Sequence, residues 1–287
     1  MHAKRFAVAA IVLVIGLIAA PAGAELLEHV RFTTPQPPEA PVAEANRLKF
    51  GLPRVDAAPT IDGKLDEAMW EMPQAYLGEF RLGLSETPAR HYRRAWAGYD
   101  SQHLYIGVRL ERESGTELRV ATLEQDDAAI WEDDEVEIFL DPFESGTHYY
   151  QLILNSKGVL YDATHHYVEV PDARAASPGA TVLERVTDDT WDAELARAVH
   201  IEDEWWSIEM ALSVESVGLQ GAPAGHRLGF NITSADWDTE EYTTLSPNDS
   251  WHDPLQFGVM ILGRPVVGVT DVDLSGVGTG GNLLQIE

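Results

Sequence analysis

The sequence contains no cysteine among its 287 residues. A chain without thiols has no disulfide framework, no thiolate metal ligand and no cysteine nucleophile. Positive charge is also scarce, because 20 Lys and Arg stand against 47 Asp and Glu and give a net charge of −27. This balance argues against nucleic acid and anionic lipid as partners, and it suits neutral ligands and divalent cations.

Long hydrophobic runs are equally scarce. One apolar run, residues 7–20, follows Lys4 and Arg5 and precedes the small residues of 21–24. This pattern predicts a secretory signal peptide over residues 1–24. The run is shorter than the roughly 20 residues that a membrane-spanning helix needs. We therefore expect a secreted or periplasmic protein with no membrane insertion after removal of the signal.

The rest of the chain divides by composition into three parts. Residues 25–47 are rich in proline and predict an extended linker. Residues 48–264 carry short apolar runs separated by Gly, Pro, Asp and Asn, which is typical of one β-rich domain. Residues 265–287 form a glycine-rich tail.

Alternation of apolar and polar residues with a period of two is the main structural signal of the domain. It predicts β-strands, whereas only residues 66–70 and 214–217 suggest short helices. Many short strands with few helices indicate an all-β fold, an antiparallel two-sheet β-sandwich of jelly-roll type. The clearest runs are residues 103–111, 134–141, 149–155, 205–212 and 227–233.

The same alternation leaves several polar side chains on the faces of the strands that point away from the core. If these strands are neighbours, their polar groups form the floor of a ligand site, although a solvated strand face gives the same pattern. These residues are Arg109, Glu137, Gln151, Asn155 and Asn231.

Two tryptophans lie in polar segments where burial is a poor explanation. Trp131 follows Asp126 and Asp127 and precedes a strand, and Trp251 lies between Ser250 and His252. Pyranose rings stack their C–H faces on aromatic rings, while carboxylates and amides bind their hydroxyls. Exposed Trp beside Glu, Gln and Asn is therefore the pattern of a sugar site.

Five sequence segments together resemble the family 9 carbohydrate-binding modules, in the order in which that family has them. The resemblance covers the chain from about residue 53 to residue 262. The segments are PTIDGKLDEAMW from Pro59, YD through LYI from Tyr99, WEDDEVEIFLD from Trp131, GFNI from Gly229 and SWHDPLQFG from Ser250.

The resemblance implies a β-sandwich with structural Ca²⁺ that holds a sugar between two tryptophans, as in modules attached to secreted xylanases. By motif, Trp131 and Trp251 match the two tryptophans. Glu137, Gln151 and Asn248 match the groups that bind sugar hydroxyls. At one position, the sequence departs from the pattern of the family.

The family's ligand-binding arginine has no counterpart at the matching position, which is Ile153 here. We name Arg109 as a candidate to supply that cation.

Metal ligands are less clearly marked. Oxygen donors without sulfur favour calcium over zinc or copper. His165 and His166, with His148 nearby, are expected to be an exposed pair at a hairpin rather than a zinc site. The candidate calcium ligands are Asp62, Asp66, Asp126, Asp127 and Asp141, and no spacing selects among them.

The sequence predicts a non-catalytic protein whose partner is a poly- or oligosaccharide of the xylan or glucan type, with a secreted glycan-degrading enzyme as a second partner. Two alternatives stay open. A haem-b redox module of a related sandwich family would use Met210 or Met260 as axial ligands. A glycoside hydrolase would use Glu135 and Glu137, which lie on one face of one strand.

Overall fold

The computed structural model describes residues 47–83, 87–172, 179–246 and 250–263. The predicted signal peptide, nearly all of the linker, the tail and Asn248 lie outside these residues. The described residues form fourteen strands: β1 (Lys49–Leu52), β2 (Tyr76–Glu79), β3 (Arg81–Leu82), β4 (Arg93–Tyr99), β5 (His103–Glu111), β6 (Glu135–Asp141), β7 (His148–Asn155), β8 (Leu160–Pro171), β9 (Thr181–Asp188), β10 (Leu195–Ile201), β11 (Trp205–Ser213), β12 (Arg227–Asp236), β13 (Glu241–Thr244) and β14 (Gly258–Leu262).

The strands form two sheets. The nine-stranded sheet has the order β1-β14-β12-β6-β7-β8-β9, and β13 and β3 extend it beside β12. The five-stranded sheet has the order β10-β11-β5-β4-β2. Neighbouring strands pair antiparallel, except that β1 pairs parallel with β14. The prediction of an all-β, two-sheet sandwich is confirmed.

The apolar core lies between the two sheets, and the alternation supplies it. Each strand turns every second side chain inward, for example Ile106 from β5 and Ile138 from β6. Burial of one such side chain contributes about 1.5–3 kcal/mol. Met210 and Met260, named above as candidate haem ligands, also lie in this core and are buried among its apolar residues.

The helical predictions were wrong in their positions. The chain turns at 67–70 and at 214–217 instead of forming helices, and Leu65, the residue before the first segment, has a φ of 57°. Short 3-10 helices instead occupy Ala128–Glu132 and Pro254–Gln256. No helix of the described residues is long and apolar enough to cross a membrane.

Both 3-10 helices begin at an aspartate that caps them. The side chains of Asp127 and Asp253 accept hydrogen bonds from the backbone N–H groups of Ala129 and Leu255. A carboxylate in this position satisfies an N–H that has no partner within the helix. The capped helices position the tryptophans, because Trp131 lies within the first helix and Trp251 lies two residues before the cap of the second.

Candidate functional site

The outer face of the nine-stranded sheet carries a continuous set of polar and aromatic side chains. Glu137 lies opposite Thr233 on one side and Ile153 on the other, and Gln151 lies opposite Phe139 and Ala163. Opposite residues of neighbouring strands point to the same face. Glu137, Gln151, Asn155 and Asn231 therefore share this face, which is the arrangement that the alternation suggested.

The centre of this face is a buried hydrogen-bond network, here called the floor and made of Glu137, Gln151, His165 and Thr187. Gln151 Nε2 donates to Glu137 Oε2. Gln151 Oε1 is 2.8 Å from His165 Nε2, and His165 Nδ1 is 2.9 Å from Thr187 Oγ1. Because the amide oxygen only accepts, His165 donates from Nε2 and accepts from the Thr187 hydroxyl.

Burial sets the protonation of the floor. It raises the pKa of Glu137 to about 7, against the opposing effects of Gln151 and Arg185. The pKa of Glu135 lies well above its usual value, because of burial and then of the neighbouring Glu137. Burial also holds the pKa of His165 well below its usual value, which keeps the imidazole neutral. The floor thus contains a carboxyl group that titrates near neutrality.

Arg185 on β9 is a site residue that the sequence did not suggest. It is half-buried and lies opposite Tyr167 in the pairing of β8 with β9. Its positive charge lowers the pKa values of Glu137, His165 and His252, although burial makes the largest contribution to each shift. The Nε of Arg185 is buried without a hydrogen-bond partner. The Arg185 guanidinium is therefore close enough to affect the charges of the floor, and its Nε–H is available to donate a hydrogen bond.

Arg109 does not reach this face, which corrects the suggestion made from the sequence. It lies on β5 in the five-stranded sheet, and its guanidinium carbon is 3.9 Å from the centre of the Trp205 ring. The two sheets enclose the core, so their outer faces point in opposite directions. Alternation identifies the face of a strand but not the sheet to which the strand belongs.

Trp131 is presented to solvent by the 3-10 helix that contains it. Ile130 is fully buried against Ile153, Tyr161 and Ala163, and this contact anchors the helix on β7 and β8. The next residue, Trp131, is 36% exposed, and its ring centre is 4.7 Å from that of Tyr161.

Trp251 lies on the same face, at the other side of the floor. It packs against a buried aromatic cluster of Phe139, Tyr149 and Phe257, and its ring centre is 5.9 Å from that of Tyr242 on β13. Trp251 is thus attached where Phe139 and Tyr149 lie, whereas the helix of Trp131 is attached at Ile153 and Tyr161. Because Gln151 lies between Tyr149 and Ile153 on β7, the two tryptophans are attached on opposite sides of Gln151 along the strand. Asn248, the third predicted polar group, lies outside the described residues.

The histidines divide between the two faces of β7 and β8. His148 and His166 form an exposed cross-strand pair, as expected, but His165 is buried in the floor. A second imidazole joins it, because His252 Nδ1 lies 2.9 Å from the Tyr149 hydroxyl and the His252 ring meets the His165 ring edge-on. A one-residue step along a strand reverses the side chain, which explains why the expectation of an exposed pair was wrong for His165.

Three carboxylates form a separate group beside the end of β8. Ligand atoms of Asp126, Asp162 and Asp192 lie within 4.8 Å of one another. Asp162 is fully buried, its Oδ2 accepts from Ala193 N, and its Oδ1 has no hydrogen-bond partner. Burial, and then the nearby Asp126, raises the pKa of Asp162 to about 6.

The other predicted metal ligands serve local structure. Asp62 pairs with Lys64 at the surface, and Asp141 accepts from the backbone of the turn that follows β6. Asp127 caps the 3-10 helix that contains Trp131. Asp66, like these three, lies outside the group of carboxylates found among the described residues, and Asp126 is the one sequence candidate within it.

A family model described as "Carbohydrate family 9 binding domain-like" matches residues 61–264. The match covers well over half of the chain, so the chain belongs to this family, whose members are binding modules. No curated protein matches the chain.

Solved structures agree with the fold. Two are of a family 9 carbohydrate-binding module from Caldicellulosiruptor kristjanssonii, in complex with cellotriose (TM-score 0.52) and with glucose (TM-score 0.50). Each is 14% identical and covers 78% of this chain and 99% of its own. A third is described as a putative carbohydrate-binding protein from Bacteroides uniformis, with a TM-score of 0.55, 14% identity, and coverage of 75% of this chain and 99% of its own.

Proposed function

We propose that this protein binds a sugar ring between Trp131 and Trp251, on the outer face of the nine-stranded sheet. One observation carries the proposal: two tryptophans, neither of them fully buried, lie on the same sheet face as a buried polar floor. The complexes of the similar modules with glucose and cellotriose support a ligand of this class.

The chemistry follows from what each group offers. The indoles supply apolar faces for the C–H side of a pyranose. Glu137, when ionised, accepts hydrogen bonds from sugar hydroxyls, and Arg185 donates to sugar oxygens from the β9 side. Gln151 donates to Glu137 and accepts from His165, so these two side chains hold the Glu137 carboxylate in place. Stacking with a few charge-assisted hydrogen bonds gives micromolar to millimolar affinity, on the order of −4 to −8 kcal/mol.

Binding without catalysis agrees with the positions of the carboxyl groups. Glu135 and Glu137 project from one strand to one face, and both are buried. Glycoside hydrolysis requires two carboxyl groups that flank the scissile bond. Groups on one side of a bound sugar hold it without cleaving it.

The proposal includes the biological setting that the sequence predicted. The protein acts outside the cytoplasm, on plant-type polysaccharide of the xylan or glucan type or on oligosaccharide. A secreted glycan-degrading enzyme is the second partner that we propose.

The test is calorimetric titration with glucose, xylose and their short oligomers, after a glycan array has selected the best ligand. We expect Trp131→Ala and Trp251→Ala each to reduce affinity at least tenfold without unfolding the domain. Trp205→Ala is the matched control, because Trp205 is a half-buried tryptophan on the outer face of the other sheet. If both single variants bind as tightly as the wild type, the proposed site is wrong.

We propose in addition that Asp126, Asp162 and Asp192 bind the structural Ca²⁺ that the family resemblance implies. The fit is chemical: three carboxylates offer hard oxygen ligands, and the buried Asp162 Oδ1 lacks a partner. A bound cation would neutralise the repulsion between three adjacent carboxylates. It would also connect Asp126, in the loop before the first 3-10 helix, to Asp162 on β8.

Calcium is expected to raise the melting temperature and EDTA to lower it by several degrees. Asp162→Asn should remove this dependence, whereas Asp62→Asn, at an exposed surface pair, should keep it. Identical melting curves with calcium and with EDTA would overturn the assignment.

A further inference from the structure

A row of aromatic side chains continues from Trp251 along one end of the site. The ring centre of Trp251 lies 5.9 Å from that of Tyr242, which lies 6.3 Å from that of Trp237. We call Trp251, Tyr242 and Trp237 the aromatic rim. Tyr242 is 46% exposed and lies opposite Ala235, so its side chain belongs to the same outer face as Glu135.

Charged contacts join the rim to the other tryptophan of the site. The Arg119 guanidinium carbon lies 4.3 Å from the centre of the Trp237 ring, and Arg119 also pairs with Glu132 at 3.2 Å. Glu132 directly follows Trp131 in the chain. The line of side-chain contacts from Trp251 therefore reaches Glu132, the residue next to Trp131 in the chain, at the end of the face where Glu135 lies.

We propose that the aromatic rim is a second sugar subsite, which binds the sugar units that follow the one held between Trp131 and Trp251. This inference rests on the proposed function and deepens it, because it names the residues that bind a second unit of the same glycan. Tyr242 is the exposed ring of the rim, and it offers a further apolar face to the next unit of a glycan that is stacked on Trp251.

The ring angles select the kind of chain. The planes of Trp251 and Tyr242 meet at 55°, and those of Tyr242 and Trp237 at 76°. Rings tilted in this way cannot all lie flat against one planar surface. The rim therefore fits a single soluble chain that can turn between units, and it does not fit the flat face of a crystalline polysaccharide.

The charge around the rim selects a neutral chain. Asp238, Glu240 and Glu241 lie in and beside the turn between Trp237 and Tyr242, and Arg119 is already paired with Glu132. A polyanionic glycan would meet like charge here. The occupant is thus an uncharged oligosaccharide.

The experiment measures how affinity depends on chain length. Calorimetry uses the monomers and the oligomers of two to five units from the cello- and xylo-series, against wild type and the variants Tyr242→Ala, Tyr242→Phe and Tyr76→Ala. Tyr76 is the matched control, since it is 40% exposed on the outer edge of the five-stranded sheet.

For wild type we expect affinity to rise roughly three- to tenfold from monomer to trimer, the effect of one additional stacking contact. Tyr242→Ala should remove this rise, so that monomer and trimer bind with equal affinity. Tyr242→Phe and Tyr76→Ala should keep it. Insoluble crystalline cellulose should not deplete the protein from solution.

The outcomes separate this inference from the proposed function. Equal affinity for monomer and trimer, or an undiminished rise in Tyr242→Ala, overturns the second subsite and leaves the first intact. Depletion by crystalline cellulose overturns the choice of a soluble chain. Absence of binding to every sugar overturns both proposals together.

Discussion

The outer faces of the two sheets each bury a glutamate beside a tryptophan, and they treat that glutamate differently. On the five-stranded sheet, Glu209 accepts hydrogen bonds from Asp62 N at 2.9 Å, Gly63 N at 2.8 Å and Trp70 Nε1 at 2.7 Å. On the nine-stranded sheet, Gln151 donates to Glu137, and Trp131 remains exposed.

The difference shows how a structural carboxylate can be distinguished from one that binds a ligand. A segment of the protein's own chain covers Glu209 and satisfies it, so Trp70 is buried there. Gly63 permits this close approach, because its φ is +88° and an added Cβ would come within 2.7 Å of the His200 nitrogen. Glu137 is buried as well, but among the described residues it accepts a hydrogen bond from Gln151 alone, so its carboxylate keeps acceptor capacity that a sugar hydroxyl can use.

The largest effect on stability should come from Glu209→Ala, which removes the carboxylate that binds the covering segment. The change leaves three donors without their acceptor, at a cost of about 3 kcal/mol in unfolding free energy. Urea denaturation measures it. Glu79→Ala is the control, because Glu79 pairs with Arg94 at the surface and should change stability by less than about 0.5 kcal/mol.

Sugar affinity of Glu209→Ala, measured below its melting temperature, should equal that of the wild type. A loss of binding without a loss of stability would mean that the two faces have been assigned the wrong way round.

A smaller effect is expected for the cations of the two faces. Arg185→Ala removes a donor beside the floor and should lower sugar affinity about tenfold. Arg109→Ala changes an exposed arginine that stacks on Trp205, and it should leave affinity unchanged. Titration calorimetry at one pH compares them. Equal effects of the two variants would contradict the separation of the sheets into a binding and a covered face.

The smallest effect concerns pH. In the protein without ligand, the pKa of Glu137 is about 7. Sugar hydroxyls donate hydrogen bonds to the ionised carboxylate rather than to the protonated acid. Sugar binding therefore lowers the pKa of Glu137. Affinity should therefore rise severalfold between pH 5.5 and 8.5. Glu137→Gln should bind more weakly at high pH and lose this dependence. A wild-type affinity that falls over the same range would exclude Glu137 as an acceptor.

Periodicity predicted the parts of this protein that depend on neighbouring residues in the chain. It placed Glu137, Gln151, Asn155 and Asn231 on outward faces, and the structure has them on one face. Periodicity could not show that β5 belongs to the five-stranded sheet. For that reason the prediction of Arg109 as a site residue was wrong.

Residues supplied from distant or weakly patterned segments escaped prediction. Arg185 lies in β9, where polar and apolar residues do not alternate cleanly, and only the pairing with β8 brings it to the floor. The aromatic rim depends on β13, a four-residue strand whose partner on its far side is the two-residue β3. Strands this short carry too little periodicity to be recognised in a sequence.

The parallel pair at the edge of the nine-stranded sheet has a consequence for folding. Strand β14 lies between β1 and β12, so the first strand of the domain has no neighbour in its sheet until the last one is in place. About two hundred residues separate these partners, and such distant pairings slow folding because loop closure precedes any gain from contact. Deletion of β14 should therefore release β1 as well, and a chain still lacking its final strand exposes the edge of β12 to aggregation.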